Sequence, residues 1–527
     1  MPVDLDSEAT AAMGRRAVQP PAGARRWPGW VVTAVPALLA LALSLWGLLR
    51  QGAIWRDEAA TWTTAERSLP EIGHMLEHVD VVHGLYYLLI HAIFEAFGPS
   101  VTAMRLPSVV GMVIAAAATA ATGRRLAGPM GGLSAGLVLA LLPAMQRYAQ
   151  EGRSFTLVAA LVAVATRLLV GAVCPPEPTS ARDGRGRRLA WGWRWGGYTA
   201  AMLGAALLNW LSLFALAAHG VTVVIARRAG ERPLLARWLV SAVVVVSGTL
   251  PLILASRPQA GQVAWIRPAS ASSLLGVTVM LVVSLACARI PRREGTGLSQ
   301  VQVGLSLLVV PQLGLLLASW LVQPLYADRY VLFSYIGLSL LVGPAVAWAV
   351  RTAESHGRAS GRRRRRVRGE FLLAGVVAVA FVALLPLELG LRSPTSRTDD
   401  VRAAAAEVVA LARPGDGIVF VPDQRRDAAL VTPSAFRGLD DVALVQSPFA
   451  SGTLYGIEAA PTRIRAAMLA HKRIVLVTDG AGSGTSGSSA SSSRRDLVKR
   501  TVLARHFTPT ASADTGGRRV TVYERVK

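Results

Sequence analysis

Lysine is nearly missing from this chain of 527 residues: Lys472, Lys499 and Lys527 are the only three among 56 basic side chains, so arginine carries the net charge of +24. With so much Ala, Gly and Val, that choice reads as high-GC bacterial codon usage and says little about ligands. Cysteine is scarce too. Cys174 and Cys287 border or lie within apolar runs and have no metal-binding spacing, which argues against a disulfide framework. Charge of either sign is thin, at 17% of residues against 52% hydrophobic, too little for an ordinary soluble protein of this length. The arginines cluster as "GRGRR", "ARRAGERP", "PRRE" and "GRRRRRVRG" between apolar runs, where a polytopic protein carries its cytoplasmic loops. No nucleic-acid-reading motif accompanies them, so no nucleic-acid partner is expected.

What the chain has is long apolar sequence. A hydrocarbon core of roughly 30 Å takes about 20 apolar residues in a helix, and eleven candidate spans fall near 30–49, 105–122, 131–148, 154–173, 197–207, 211–226, 237–256, 272–290, 300–322, 329–350 and 371–390. The 197–226 stretch reads either as two short helices broken near "NWLS" or as one long tilted helix. Residues 1–29 carry Arg15, Arg16, Arg25 and Arg26 with no small-residue cleavage site before the first span, which predicts a cytoplasmic tail and an uncleaved first helix.

A twelfth apolar run, "VVHGLYYLLIHAIFEAFG" at 81–98, is decided by the basic loops. If it crossed the bilayer, Arg124 and Arg125, the "ARDGRGRR" loop and the five arginines at 362–366 would all lie outside; if it lies on the surface, all fall inside. His83, Tyr87, His91 and Glu95 recur every four residues and share one helical face, as an amphipathic juxtamembrane helix requires. The first external loop is then 50–104, and the chain beyond 390 is extracytoplasmic. From about 399, helical and strand patterns alternate ("DDVRAAAAEVVALA", "GIVFVP", "RIRAAMLA", "RIVLVTDG", "RRDLVKRTVLARHF", "RRVTVYERV"), which predicts a small α/β domain with a partly parallel sheet over 391–527. Within it, 480–493 reads as a disordered low-complexity loop without the lysine of a phosphate-binding loop. The expected fold is thus an α-helical polytopic membrane domain, 30–390, with a C-terminal external α/β domain.

The external loop opens on "AIWRDEAATWTTAE", which places Asp57 and Glu58 side by side just outside the first span, with Trp55 and Trp62 suited to the interface. Taken alone, the pair is a solvated loop feature or a helix N-terminal pair favoured by the helix dipole. The loop also holds Asp80, His83, His91 and Arg105, and that company raises a functional reading.

In order along the chain, "WRDEAATW", "HVDVVHGLYYLLIHAIFEAFG", "MRLPSVVG" and "RYAQEGRSF" resemble the first external loop and following spans of the GT-C glycosyltransferases. The likeness is greatest to the protein O-mannosyltransferase-like branch, which uses polyprenyl-phosphate sugars. It covers roughly 30–175, and "YADRYVLFSYIGLSLLVG" at 326–343 resembles a late span of the same family. One departure is His83-Gly84, where many relatives read His-Pro-Pro.

The resemblance implies sugar transfer, of mannose in the branch's manner, from a polyprenyl-phosphate donor to an acceptor hydroxyl of a protein, glycolipid or polysaccharide outside the membrane. Asp57 matches the family's loop aspartate and is the candidate base. Glu58 is either a second binding group or the orienter of an arginine. Arg105, Arg153 and Arg329 are candidates for the departing phosphate, because a guanidinium binds phosphate through two donors and stays charged in a low dielectric; each also suits a headgroup or a neighbouring carboxylate. His83 matches the family's histidine as a hydrogen-bond donor. Asp80, Tyr87, Glu151 and Tyr330 complete the substrate-binding candidates, and Gln150 is read as a sugar contact. His83, His91 and Asp80 lack a tight metal-ligand spacing, and a lipid monophosphate does not require a divalent ion, so no metal or cofactor is expected. A transporter or lipid flippase is the alternative, with His219 as the candidate intramembrane group; "VAWIRPAS" at 263–270 reads as a cover for the lipid-sugar site or as an interfacial anchor.

Overall fold

The computed structural model describes residues 28–48, 52–174, 184–226, 232–263, 266–290, 298–359, 369–480 and 493–526. The tail before residue 28, the arginine run at 362–366, Trp265 and nearly all of the 480–493 loop lie outside the described residues.

Each of the eleven apolar runs lies on a helix. The Gly29–Leu45 helix is followed by the 52–100 segment, and Val101–Leu141 breaks at Gly128 (φ 82°, ψ 176°), a backbone conformation that only glycine adopts readily, followed at once by Pro129. "AGP" therefore turns one apolar run into two helices packed side by side, and Pro143 starts a further short helix, Pro143–Ala149, inside what the sequence presents as a single span. The 197–226 stretch resolves as two helices: Gly184–Leu208 and Leu213–Ala226 meet at Asn209, whose side chain accepts from the Leu211 N–H. Seven of the described helices are long and apolar enough to cross a membrane by length and composition. Small residues bring them close: a Cβ added to Gly337 would lie 2.4 Å from the Gly304 carbonyl oxygen.

Arginines collect at one end of this bundle. Arg194 donates to the Gly171 carbonyl, Arg237 stacks over Trp191, and Arg167 lies in the field of Arg124, Arg125 and Arg194. The Asp57 segment lies at the ends where the Gly29–Leu45 helix finishes and the Phe155–Val173 helix begins.

The 81–98 run forms a short turn, Val81–His83, and a helix, Gly84–Phe97. Tyr86, Tyr87, Ile90 and Phe94 are buried against the protein, whereas Leu85, Leu88, Leu89 and Phe97 are exposed. The stripe of His83 and Tyr87 thus faces the protein, and the leucines form the outward apolar face.

The C-terminal region folds around a five-stranded sheet in the order β2-β1-β5-β7-β6, with β1 (Gly417–Val421), β2 (Asp440–Asp441), β5 (Arg473–Asp479), β6 (Phe507–Thr515) and β7 (Arg518–Arg525). β1 is parallel to β2 and β5; β7 is antiparallel to β5 and β6. A two-stranded ribbon of β3 (Leu444–Gln446) and β4 (Ile457–Glu458) stands apart. The hydrophobic pattern does not reveal the short strands β2, β3 and β4, nor the longer β6. β6 is an edge strand, largely exposed and carrying Pro509, which an edge tolerates because one row of its N–H groups needs no partner.

The two regions are knotted together by charge. Arg518, wholly buried, donates to Asp399 and Asp427, and Asp399 accepts from the Arg56 backbone N–H at 3.1 Å. The Val401 N–H meets the Ile54 carbonyl at 2.8 Å, and buried Arg67 reaches across to the Thr453 carbonyl at 2.7 Å.

Candidate active site

Asp57 and Glu58 occupy the first turn of a helix, Arg56–Ala65, rather than an extended loop. Successive residues on a helix point about 100° apart, and that rotation separates the two carboxylates into different layers.

Glu58 points inward and is completely buried. It accepts from Arg105 Nε at 2.8 Å and Nη2 at 2.7 Å, and from the Gly152 N–H at 2.8 Å. Arg105 in turn donates to the Ala53 carbonyl at 2.7 Å. Of the two roles the sequence leaves open for Glu58, this geometry is that of the arginine orienter. Arg105, buried with it, thus turns Nε and Nη2 toward acceptors of the protein itself.

Asp57 points to the mouth and is partly exposed. Arg329 Nη1 lies 3.1 Å from its Oδ2, and Arg153 Nη2 lies 3.9 Å from the same oxygen. Arg153 comes from the turn before the Phe155–Val173 helix, Arg329 from the irregular Asp328–Ser334 turn before the Tyr335–Ala359 helix. Three segments distant in sequence thus converge on one carboxylate. Arg329 is steadied from the side by Phe155 and Tyr330, whose ring centroids lie 5.8 and 5.5 Å from its guanidinium carbon. Burial works against the Arg153 charge, but Tyr87, Asp57 and Asp80 outweigh it and hold its titration above the ordinary arginine range. Its Nε and Nη1 are buried without a hydrogen-bond partner among the described residues, and such donors are costly unless something accepts from them.

Asp80 and Tyr87 close one wall. The Tyr87 hydroxyl donates to Asp80 Oδ2 at 2.7 Å. Asp80 sits in the left-handed region (φ 58°), uncommon for a residue with a Cβ. Two glutamines hold it there: Gln262 accepts from the Asp80 N–H at 3.2 Å, and Gln259 from the Val81 N–H at 3.0 Å. His83 lies beside Tyr87 with ring centroids 6.0 Å apart. Burial first, and then the Arg153 charge, push its imidazole down to about 4, so it is neutral at pH 7 and offers one donor and one acceptor.

Glu151 is buried beneath the mouth, with Arg397 Nε 2.9 Å and Arg147 Nε 3.7 Å from Oε1. Burial outweighs both arginines and raises its carboxyl to about 7. The sugar contact expected of Gln150 is corrected: buried, it donates to the carbonyls of Leu43, Ser44 and Trp46, which cap the end of the first helix. His91 faces the Ala65 carbonyl at 3.0 Å and stands apart from the cluster. His219 is occupied at both nitrogens, by Thr166 Oγ1 at 3.0 Å and by the Tyr198 hydroxyl at 3.3 Å, which is the pattern of a satisfied core histidine.

Several neighbours are not announced by the sequence. Tyr455 arrives from the C-terminal region, its hydroxyl titration raised by burial and then by Asp427, Asp80 and Asp57, so it sits within electrostatic reach of the mouth. Glu388 and Arg392 form a buried pair at the end of the Gly369–Leu391 helix, with Arg392 also donating to the Trp46 and Leu43 carbonyls. The i,i+4 spacing in "ELGLR" is a signal that would have found that pair.

No family model matches the sequence, and no curated protein matches it either. Among solved structures, the fold is similar to the crystal structure of ArnT from Cupriavidus metallidurans in the apo state, at TM-score 0.55 and 14% identity over 94% of this chain and 98% of that one. It is similar also to ArnT from Cupriavidus metallidurans bound to undecaprenyl phosphate, at TM-score 0.50 and 14% identity over the same 94% and 98%. The oligosaccharyltransferase of Archaeoglobus fulgidus in the apo form aligns at TM-score 0.46 and 9% identity over 86% of this chain and 70% of that one. The architecture is the GT-C-like one: a polytopic helical domain followed by a C-terminal sheet domain.

Proposed function

We propose that this protein is an integral membrane glycosyltransferase that moves a sugar from a polyprenyl-phosphate donor to an acceptor hydroxyl on the extracytoplasmic face of a bacterial plasma membrane. The observation that carries this reading is the convergence of Arg153 and Arg329 on Asp57 at the mouth of the helical domain. A buried guanidinium and a largely buried one beside a partly exposed carboxylate suit a reaction in which a phosphate departs and a hydroxyl loses a proton. The ArnT fold, seen in one case with undecaprenyl phosphate, supports the choice of donor lipid. The acceptor is a hydroxyl of a protein, glycolipid or polysaccharide, and mannose is the sugar the motif resemblance favours.

In this mechanism the donor phosphate competes with Asp57 for the two arginines, and Arg153 Nε and Nη1 offer it donors that have no partner among the described residues. Its arrival frees the Asp57 carboxylate to take the acceptor proton. The acceptor oxygen then bonds to the anomeric carbon as the bond from that carbon to the phosphate oxygen breaks; the electron pair leaves with the polyprenyl phosphate, whose charge the arginines stabilise. Neutral His83 and the Asp80–Tyr87 pair are placed to hold sugar hydroxyls. Glu58 and Arg105 fix the helix that carries Asp57. All protons and charges are accounted for without a metal.

The test is transfer of radiolabelled sugar from polyprenyl-phosphate mannose, and from a panel of other polyprenyl-phosphate sugars, in membranes containing wild type or Asp57→Asn. Donor-dependent transfer by the wild type, lost in the variant, supports the reading. Equal transfer by both removes Asp57 as the base, and transfer from no donor removes the reaction class.

A further inference from the structure

A second cluster of metal-capable side chains lies outside this site, on the Leu69–His78 helix of the external segment. The stretch reads His74-Met75-Leu76-Glu77-His78. Spacings of three and four put His74, Glu77 and His78 on one helical face, while Ile72 and Met75 turn the other face into the core. All three are exposed, and their ligand atoms lie within 4.8 Å of one another. His74 Nδ1 is 3.6 Å from Glu77 Oε2, and the two imidazole rings stand edge to face with centroids 5.0 Å apart.

The tautomer of His78 is set by its neighbour. Its Nδ1 lies 2.9 Å from the His74 carbonyl oxygen, which can only accept, so Nδ1 carries the proton and the Nε2 lone pair is left for another partner. That is how a ligating histidine is oriented in metal sites, with the second ring nitrogen donating to a carbonyl or carboxylate. We propose that His74, Glu77 and His78 form a zinc-class divalent metal site with three protein ligands and an open fourth position.

A tetrahedral ion with ligand bonds of about 2.0–2.2 Å needs donor atoms roughly 3.4 Å apart. The His74–Glu77 pair is already near that separation, and side-chain rotation on an exposed helix face supplies the remainder without backbone movement. Two imidazoles and one carboxylate suit zinc, copper or nickel ions; the all-oxygen preference of magnesium and calcium does not match. The His74 ring also lies against Gly452: a Cβ added there would be 2.8 Å from its Nε2. The adjoining turn is the one that Arg67 holds through the Pro448 and Thr453 carbonyls, at 3.4 and 2.7 Å. Metal binding through His74 Nδ1 therefore braces the contact between the external segment and the C-terminal domain, in a structural rather than a catalytic role. It does not depend on the proposed transferase activity.

The experiment uses the full chain, purified in detergent and stripped with a chelator. Zinc ion is titrated by calorimetry, and cobalt(II) is added as a spectroscopic stand-in. The expected result is about one equivalent of zinc bound in the micromolar range, with intense tetrahedral cobalt bands. His74→Ala and His78→Ala should each weaken binding at least about tenfold, and His91→Ala should leave it unchanged. Unaltered elution on size exclusion checks that the variants, at exposed His74 and His78 and at half-buried His91, keep their fold. Absence of wild-type binding below millimolar zinc, or retention of binding by the His74→Ala/His78→Ala double variant, overturns the proposal.

Discussion

Glu58 and Arg105 offer a test in which the size of the effect follows from the geometry. Glu58 accepts three hydrogen bonds, from Arg105 Nε, Arg105 Nη2 and the Gly152 N–H, and both side chains are almost wholly buried. Glu58→Ala leaves a buried guanidinium and a buried N–H without their acceptor. Breaking such a pair costs about 3–5 kcal/mol, most of it the desolvation of the charge left behind rather than the attraction lost. Arg105→Ala strands the carboxylate and should cost a similar amount. Removing both charges together, as Glu58→Leu with Arg105→Met, leaves no stranded ion, and apolar replacement of a buried pair is often close to neutral. The double variant should therefore be more stable than either single truncation, by roughly the 3–5 kcal/mol that one stranded charge costs. Equilibrium unfolding by SDS in mixed micelles, followed by tryptophan fluorescence for wild type, the two single variants and the double, measures it. If Glu58→Ala unfolds no earlier than wild type, or if the double variant loses the sum of the single losses, the pair is not the brace described above.

Other consequences are equally specific. Arg329→Ala should lower kcat/KM for a polyprenyl-phosphate donor at least about tenfold, and Asp57→Asn should lower kcat by about 10²–10⁴-fold; steady-state kinetics in proteoliposomes measure both, and an unchanged kcat/KM in Arg329→Ala would contradict its assignment to the phosphate. Because burial and Arg153 hold the His83 imidazole down to about 4, His83 stays neutral from pH 5.5 upward, and a wild-type activity profile with an inflection near 6.5 that disappears in His83→Asn would refute that placement. Glu151 is raised to about 7 by burial, above the about 4.3 of a free glutamate, so its neutral form fits the fold better. That contribution is present below pH 4.3 and is lost as pH rises through about 7. Thermal stability should accordingly fall between pH 5 and 8, and Glu151→Gln should flatten that slope.

The helices were readable because lipid-facing and core-facing positions of a membrane span are both apolar, so a run of sufficient length declares itself. Arg124, Arg125 and the later basic loops are the sequence's argument for laying the 81–98 run on the membrane surface, and in the structure its exposed Leu85, Leu88 and Leu89 beside buried Tyr86 and Tyr87 make two distinct faces. Asp57, Arg153 and Arg329 could be named one at a time from their motifs. Their meeting could not, because it depends on where three turns land after the helices pack. Nor could the sequence separate Glu58 from Asp57, since adjacent carboxylates in one string look alike until a helical turn sends one inward to Arg105 and leaves the other at the mouth. Gln150 was misjudged for a related reason: an amide beside a site is indistinguishable in sequence from an amide that caps the carbonyls of Leu43, Ser44 and Trp46. β6 escaped because an exposed edge strand needs no alternation of apolar residues.

The C-terminal domain bears on the chemistry through Arg56, the residue immediately before Asp57. Asp399 accepts from the Arg56 N–H at 3.1 Å and faces its guanidinium at 3.8 Å, and Asp399 is itself held by Arg518, which also binds Asp427. The backbone entering the Asp57 helix is thus anchored by a buried charge cluster whose other members lie beyond residue 398, and the Ile54 carbonyl is tied to the Val401 N–H as well. Arg518→Ala should leave Asp399 and Asp427 buried without their cation, at about 3–5 kcal/mol, and loosen the first turn of the helix that carries Asp57. Its distinguishing signature is a combined one: faster proteolysis in the 391–400 segment together with a lower kcat on any acceptor, large or small. A domain that served only to recruit a large acceptor would predict the opposite, full turnover on a small soluble acceptor after Arg518→Ala or after deletion of residues 393–527. That outcome would detach the domain from the positioning of Asp57.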